Sequence, residues 1–429
     1  MKHVKQKKER DRVVIEALVR KYGPISRAEI RDLTQLRWSS ISPIVRELLR
    51  DKRFLEVGRS GAPQMGRKRT LLQLNEERGF ILAVTYDPEN VATAVTNLRP
   101  RTKTKIIAPT RLDGGGEGLL EQLFSCARQA MQQAGVKEEK LLGIGVADPG
   151  MVNTRQGISL LASNLGFWKE IPLKQLFEKE FGRPTIIESS TRAQALAERM
   201  LGTGRGARDM IYIEYGKGIG AGITSDGKPL YGHQGIAGEF GHFPMLENGP
   251  ACACGSFGCL EALVGLSAIE ARCRKAIREG GYSRALELAA GDERKITGWT
   301  VLEASSVGDK TCVAIVEELA KYLGLGLSAL VNLFNPALVV LDHRLGLGGA
   351  WLLEQIERNV RKQALGHATA ELKFAYGTLG SDAGILGAAL NVLESIFEIP
   401  VLKPPRYMVE GAAVEALETN RQAPAKDPV

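Results

Sequence analysis

No run of apolar residues in this chain is long enough to span a bilayer; the best, Leu323 to Phe334, is too short and too polar. The N-terminus, Met1-Lys2-His3-Val4-Lys5-Gln6-Lys7-Lys8, is basic with no apolar segment behind it, so no secretory signal is expected. A cytoplasmic, nucleoid-associated location follows. Cysteine is scarce, six in 429 residues, which argues against a disulfide-built scaffold. No internal repeat stands out, and no local motif supports a serine-histidine-aspartate hydrolase. Acidic residues run short in one place only. Residues 1–75 hold 19 Lys and Arg against 8 Asp and Glu, a net of +11, whereas the whole chain carries +8. A basic module confined to the first sixth of a chain is the electrostatic footprint of a polyanion binder, and a duplex is the usual polyanion. The remainder has an ordinary soluble composition, 44% hydrophobic and 25% charged, and a length that suits two or three domains.

What is present begins with three of those six cysteines. Cys252, Cys254 and Cys259 fall within eight residues, and His242 lies ten residues upstream of the first. Three thiols and an imidazole supply four soft or borderline ligands, which suits a closed tetrahedral zinc site. Gly255 and Gly258 let the backbone fold back so that Cys254 and Cys259 face one ion. Four protein ligands fill the coordination sphere, so the zinc is expected to be structural and not a source of activated water.

In the basic segment, Val14, Ala17 and Leu18 recur at helical spacing up to the stop at Tyr22-Gly23-Pro24. Ser26-Arg27-Ala28-Glu29 reads as a capping box that opens a second helix. A third helix follows, with Ser39 as its expected cap and Ile41, Ile44, Val45, Leu48 and Leu49 as one buried stripe. Phe54 to Val57 and Thr70 to Leu74 read as a two-stranded wing around a glycine- and arginine-rich tip. Together these predict a winged helix-turn-helix over residues 1–75. The leading turns of the third helix, Arg37, Trp38, Ser39, Ser40, Ser42, Pro43 and Arg46, are placed to read base edges of double-stranded DNA. Arg67, Lys68 and Arg69 on the wing are placed to contact backbone or minor groove.

From Gly79 onward, short β-rich runs alternate with helices, as in an α/β domain. Phe80 to Val84 and Val91 to Val95 read as a strand pair, Leu119 to Gln133 as an amphipathic helix and Tyr322 to Leu333 as an apolar helix. Residues 401–429 lack periodicity and read as a disordered tail. Gly232-His233, Ala237-Gly238-Glu239-Phe240-Gly241-His242 and the Cys-x-Cys-Gly-x-x-Gly-Cys-x-Glu run ending at Glu261 resemble the signature of the ROK (repressor, open reading frame, kinase) family. That resemblance implies an actin-like, two-lobed fold over residues 79–400, shared by bacterial sugar kinases and sugar-responsive repressors. It also implies sugar contacts at Asn164, Ser189, Ser190, Glu239, His242 and Glu261. Glu239 and Glu261 have a second reading, as groups that orient the zinc loop.

The kinase branch needs phosphate loops and a carboxylate base. Its first loop resembles Asp-x-Gly-Gly-Thr, but Thr85 stands at the aspartate here and Asp87 and Pro88 at the glycines. Where its catalytic run reads Glu-Asn-Asp-Ala-Asn-Ala, this chain has Glu188-Ser189-Ser190-Thr191-Arg192-Ala193, and a serine accepts no proton near neutral pH. Asp342-His343-Arg344 replaces a Gly-Gly turn at the adenine end. Gly216-Lys217-Gly218-Ile219-Gly220 keeps its glycines but carries a lysine where threonine is usual. The expectation is a non-catalytic, sugar-responsive DNA-binding regulator, in practice a repressor, acting as a homodimer or higher homo-oligomer on an operator. Two rivals stand beside it: an ATP-dependent sugar kinase with an appended DNA-binding module, and a regulator that answers to a protein partner.

Overall fold

The computed structural model describes residues 2–59 and 69–397. It opens with α1 (Lys2–Tyr22), β1 (Ile25–Ser26), α2 (Arg27–Thr34), α3 (Trp38–Arg50), β2 (Phe54–Arg59) and β3 (Thr70–Leu74). The capping box forms: Ser26 Oγ accepts from Glu29 N at 3.3 Å and Glu29 Oε2 accepts from Ser26 N at 2.7 Å. The α3 cap differs from expectation. Arg37, not Ser39, holds the cap position, with no side-chain bond, and its carbonyl accepts from the N–H groups of Ser40 and Ile41. The end of α3 is exposed, so its free N–H groups need no side chain to satisfy them. β2 and β3 pair antiparallel, and β1 adds a third strand against β3 that is too short to leave an alternation in the sequence. Arg67 and Lys68 lie outside the described residues, as does the whole expected tail.

The first lobe follows: β4 (Phe80–Tyr86), β5 (Asn90–Asn97), β6 (Thr102–Pro109), α4 (Gly115–Ala134), β7 (Leu141–Asp148), a small antiparallel ribbon of β8 (Met151–Asn153), β9 (Ile158–Leu161) and β10 (Lys169–Ile171), then α5 (Leu173–Phe181), β11 (Thr185–Ser189) and α6 (Ser190–Leu201). Its sheet runs β11-β7-β4-β5-β6, with β4, β5 and β6 an antiparallel meander and β7 and β11 parallel to β4. The strand period of two sorts the faces: Phe80, Leu82, Val84 and Tyr86 share a core with α4 and α5, while Ile81 and Ala83 face the side of α6.

The second lobe contains β12 (Met210–Tyr215), β13 (Ile219–Ser225), β14 (Lys228–Pro229), α7 (Leu260–Val264), α8 (Leu266–Arg278), α9 (Arg284–Leu288), α10 (Gly298–Ser306), α11 (Lys310–Phe334), β15 (Leu338–Leu341), α12 (Ala350–Gln363), α13 (Gly366–Thr369) and β16 (Lys373–Tyr376), and α14 (Ala383–Ile396) follows it. Its sheet order, β14-β13-β12-β15-β16, repeats the meander with two parallel strands added. The duplication absent from the sequence is therefore explicit in the topology. α11 starts well before the apolar stretch at Tyr322, because Asp309 caps it by accepting from Cys312 N at 2.7 Å.

The last helix, α14, returns to the first lobe and crosses α6. Gly387 makes this possible: a methyl group there would sit 2.0 Å from the Ala193 carbonyl oxygen. The far end of α14 holds the N-terminal module. Arg20 of α1 donates to the Leu393 carbonyl at 3.1 Å, pairs with Glu394 at 2.5 Å and lies over the Phe397 ring. Among the described residues no helix is long and apolar enough to cross a membrane.

Candidate functional site

A cavity of about 110 Å³ opens between the lobes, reached by Asn164, Ser189 and Ser190 from one side and by Glu239, His242 and Glu261 from the other. The six expected sugar contacts thus line one space. Ser189 caps α6, its Oγ accepting from Arg192 N at 3.3 Å. Glu261 stands in the first turn of α7 and accepts from Ile219 N at 3.1 Å. Gly218 keeps the cleft open there: a methyl group would lie 3.1 Å from Asn164 Nδ2 and 3.2 Å from Glu261 Oε2. Burial pushes both Glu239 and Glu261 above the usual carboxylate range, with the His242 imidazole pulling the other way.

The ligand atoms of His242, Cys252, Cys254 and Cys259 all lie within 4.8 Å of one another. Cys252 Sγ is 3.6 Å from His242 Nδ1, and Cys254 Sγ is 3.8 Å from Cys259 Sγ. A tetrahedron with metal–sulfur arms of about 2.3 Å has edges of about 3.8 Å, so the donor set fits a zinc ion in both type and spacing. The loop is shaped by Gly258 at φ +66°, where any side chain would strike the Leu246 carbonyl 1.8 Å away.

Elsewhere along the same cleft, lining groups are engaged with one another. Asp87 Oδ1 accepts from Glu89 N at 2.7 Å and Asn90 N at 2.8 Å, closing its own turn, and Pro88 has no N–H to offer. Asp342, 1% exposed, accepts from the Arg344 backbone at 2.9 Å and grips its guanidinium at 3.1 Å. Arg344 then reaches the Tyr215 carbonyl at 3.2 Å and lies 4.6 Å over the Trp299 ring. Burial raises the Asp342 carboxyl, but hydrogen bonds from His343 and Arg344 and the guanidinium charge outweigh it and hold the group at about 2.

Two features escaped the sequence reading. Glu214, the one charge in the apolar run of β12, reaches the cleft wall and accepts from Ser190 at 2.9 Å. Arg192 is buried against Glu188 at 2.8 Å and donates to the Ala237 carbonyl at 3.0 Å, tying α6 to the loop that carries Glu239. A lone acid in a buried strand and an arginine at a helix start were the available signals.

On the N-terminal module, Arg37, Trp38, Ser39, Pro43 and Arg46 are exposed along the leading turns of α3, with Ser40 and Ser42 partly covered. Several basic side chains of α1 and α2 are paired, Lys8 and Arg12 with Glu47, Arg31 with Asp32, Arg27 with Glu56. Arg37 and Arg46 have no ion-pair partner among the described residues. Arg69, beside the wing, is exposed.

The profile of the ROK family matches residues 98–395, more than half of the chain. The chain belongs to the ROK family. Its ROK relatives include a xylose repressor of Caldicellulosiruptor bescii, 29% identical over 376 residues, which cover 88% of this chain and 93% of the repressor. A glucokinase of Halalkalibacterium halodurans is 31% identical over 280 residues, 65% of this chain and 84% of the kinase. The crystal structure of a ROK family transcriptional regulator homologous to E. coli Mlc superposes with a TM-score of 0.77 at 27% identity, covering 91% of this chain and 98% of that one. The actin-like ROK fold and its preceding helical region are thus shared with a regulator along almost the entire length.

Proposed function

We propose that this protein is a ROK repressor that binds an operator through residues 1–75 and a small sugar or sugar derivative through the interlobe cleft. The observation that carries the reading is extent of likeness. The xylose repressor and the Mlc-like regulator align with about nine-tenths of the chain, whereas the glucokinase leaves about a third unmatched. The residues support it on both counts. Unpaired arginines line the leading turns of α3, where a duplex would meet them. At the cleft, Ser190 stands where a sugar kinase needs its base, and Asp87, Pro88 and Arg344 occupy the phosphate and nucleotide end.

Zinc would be held by His242, Cys252, Cys254 and Cys259, supplying a rigid crosslink that fixes the loop bearing Glu239 and His242. With Nδ1 turned to the thiols, the other ring nitrogen of His242 is left to meet a sugar hydroxyl. The homodimer, or larger assembly, follows from DNA geometry, because one module offers too little interface for useful specificity. A bound sugar acts on the operator only through its different affinity for open and closed lobes. α14 gives that closure a route to the DNA module, crossing α6 at one end and holding Arg20 at the other.

Operator titration with and without sugar is the direct test. Operator affinity should change with an aldopentose or aldohexose, and Arg46→Ala should lose roughly 1–3 kcal/mol of specific binding if it reads a base edge. Arg67→Ala should instead weaken specific and non-specific DNA alike and flatten the salt dependence. Sugar-dependent ATP consumption by the native protein, with no operator affinity, would establish the kinase reading in place of this one.

A further inference from the structure

The aspartate of the kinase pattern is missing at position 190, yet a carboxylate has come to that spot from another element. Glu214, on β12, lies against the start of α6. The Ser190 hydroxyl donates to its Oε2 at 2.9 Å and its Oε1 at 3.1 Å, the Thr191 hydroxyl donates to Oε2, and Gln194 Nε2 donates to Oε1 at 2.5 Å. The Gln194 amide turns its nitrogen to the carboxylate, and its Oε1 then accepts from the Tyr212 hydroxyl at 2.8 Å. The Ser190 and Thr191 hydroxyls and the Gln194 amide therefore all donate to Glu214.

The consequence falls on the cleft surface. A hydroxyl has one proton, and that of Ser190 is engaged behind it, so toward the cleft Ser190 can only accept. Ser189 is the converse. Its Oγ accepts the Arg192 N–H as a helix cap, so its own proton is left to donate. An acceptor and a donor stand on successive residues of one wall, a pattern that matches two adjacent hydroxyls, one giving and one taking a proton.

Charge narrows the ligand further. Asp87, Glu89, Glu214, Glu239 and Glu261 line the cleft. Against them stand Arg344, whose guanidinium is held by Asp342 at 3.1 Å, and Lys217, exposed on its glycine-rich loop. A phosphate group would add close to two negative charges among five carboxylates, and at Ser190 it would find an acceptor facing an acceptor.

The geometry points to Glu214 as the residue that holds Ser190 as a hydrogen-bond acceptor, and to an unphosphorylated sugar bearing a vicinal diol as the ligand so selected. This rests on the cleft being a sugar sensor. It gives Glu214 a positioning role, acting on the ligand through Ser190.

The test uses the full-length, metal-loaded protein with D-xylose, D-glucose and the other common aldopentoses and aldohexoses, set against D-xylose 5-phosphate and D-glucose 6-phosphate. Calorimetric titration and thermal shift are the readouts. At least one neutral sugar should bind and raise the melting temperature, its phosphate at least tenfold more weakly, and one mono-deoxy analogue of the best binder should also lose tenfold. Glu214→Gln offers one acceptor oxygen to three donors, so it releases Ser190; affinity should drop about tenfold, as for Ser190→Ala, the loss expected for one hydrogen bond. The double variant should bind no more weakly than the weaker single, since both break one relay. Unchanged melting of the sugar-free variants separates this from misfolding, and should Glu214→Gln melt early, the comparison of Ser190→Ala with native protein carries the test. A phosphate that binds as tightly as its parent sugar overturns the ligand class while leaving the sensor reading intact. Native sugar affinity in Glu214→Gln overturns the role of Glu214. Binding of no sugar and no phosphate overturns the sensor reading, and this inference with it.

Discussion

The two ends of the interlobe cleft have opposite characters although they share a scaffold. At one end Asn164, Glu239, His242 and Glu261 present polar atoms to the cavity, and Gly218 keeps side-chain bulk away from them. At the other, Asp87 is engaged by its own turn and Arg344 by Asp342 and Trp299, which leaves Lys217, exposed on the glycine-rich loop, as the cation a phosphate could meet. An enzyme site and a sensor site on one fold therefore differ less in which elements are present than in which side chains are left uncommitted. Binding needs one uncommitted end, whereas phosphoryl transfer needs both ends and a base between them.

The largest effect should come from the proposed zinc, which would fix the uncommitted end. Chelation or Cys254→Ala should release about one zinc per chain and lower stability by several kcal/mol, because a structural zinc contributes its binding energy to folding. Sugar binding should vanish with it. Elemental analysis checks the stoichiometry, and a folded, fully stable protein without metal would break the assignment of His242, Cys252, Cys254 and Cys259.

Next come paired substitutions, one at each end. Glu239→Ala should weaken the best sugar by roughly 10- to 100-fold, the loss expected when a charged hydrogen-bonding group is removed. Asp87→Ala should leave sugar affinity unchanged and disturb only its local turn. Equal losses in calorimetric titrations of the two variants would erase the distinction between the ends.

The committed end carries a signature of its own in stability against pH. The Asp342 carboxyl is held at about 2 when folded against its ordinary 3.8, so its contribution is present above pH 4 and is lost as pH falls from about 4 toward 2. Asp342→Asn should therefore be less stable than native by about 2 kcal/mol at neutral pH, a gap that closes over that window. Metal loss at low pH affects both proteins, so the difference between them is the quantity to measure.

How far the sequence announced this arrangement depends on whether the signal is local. The capping box at Ser26, the stripe of α3 and the cluster of His242, Cys252, Cys254 and Cys259 are set by spacing along the chain, and their positions were legible. Arg37 as the α3 cap was not, because an exposed helix end can leave its N–H groups to water and needs no marker residue. The duplicated sheet was hidden because strand order is a long-range property that tolerates unrelated side chains. Glu214 was hidden for a similar reason: its partners Ser190, Thr191 and Gln194 come from a helix some twenty residues earlier, and only folding sets them face to face.

The smallest expected effect is none at all, and it is the most discriminating. If the proposed absence of kinase chemistry were a matter of one residue, Ser190→Asp would restore sugar-dependent ATP consumption. Two features support the expectation of no turnover. A new aspartate at 190 would face the Glu214 carboxylate where the Ser190 hydroxyl now donates, so like charges would meet and its proton affinity would be set by repulsion, not by the substrate. Even a competent base would lack a partner site, because Pro88 offers no N–H, Asp87 and Glu89 repel phosphate, and Arg344 and Trp299 stand at the nucleotide end. A coupled assay of Ser190→Asp should stay at background with every common hexose. Adding Glu214→Thr relieves the first obstacle alone and should leave the rate there too. Turnover in either variant would show that the phosphate end is open after all, and that the contrast between the two ends of the cleft is wrong.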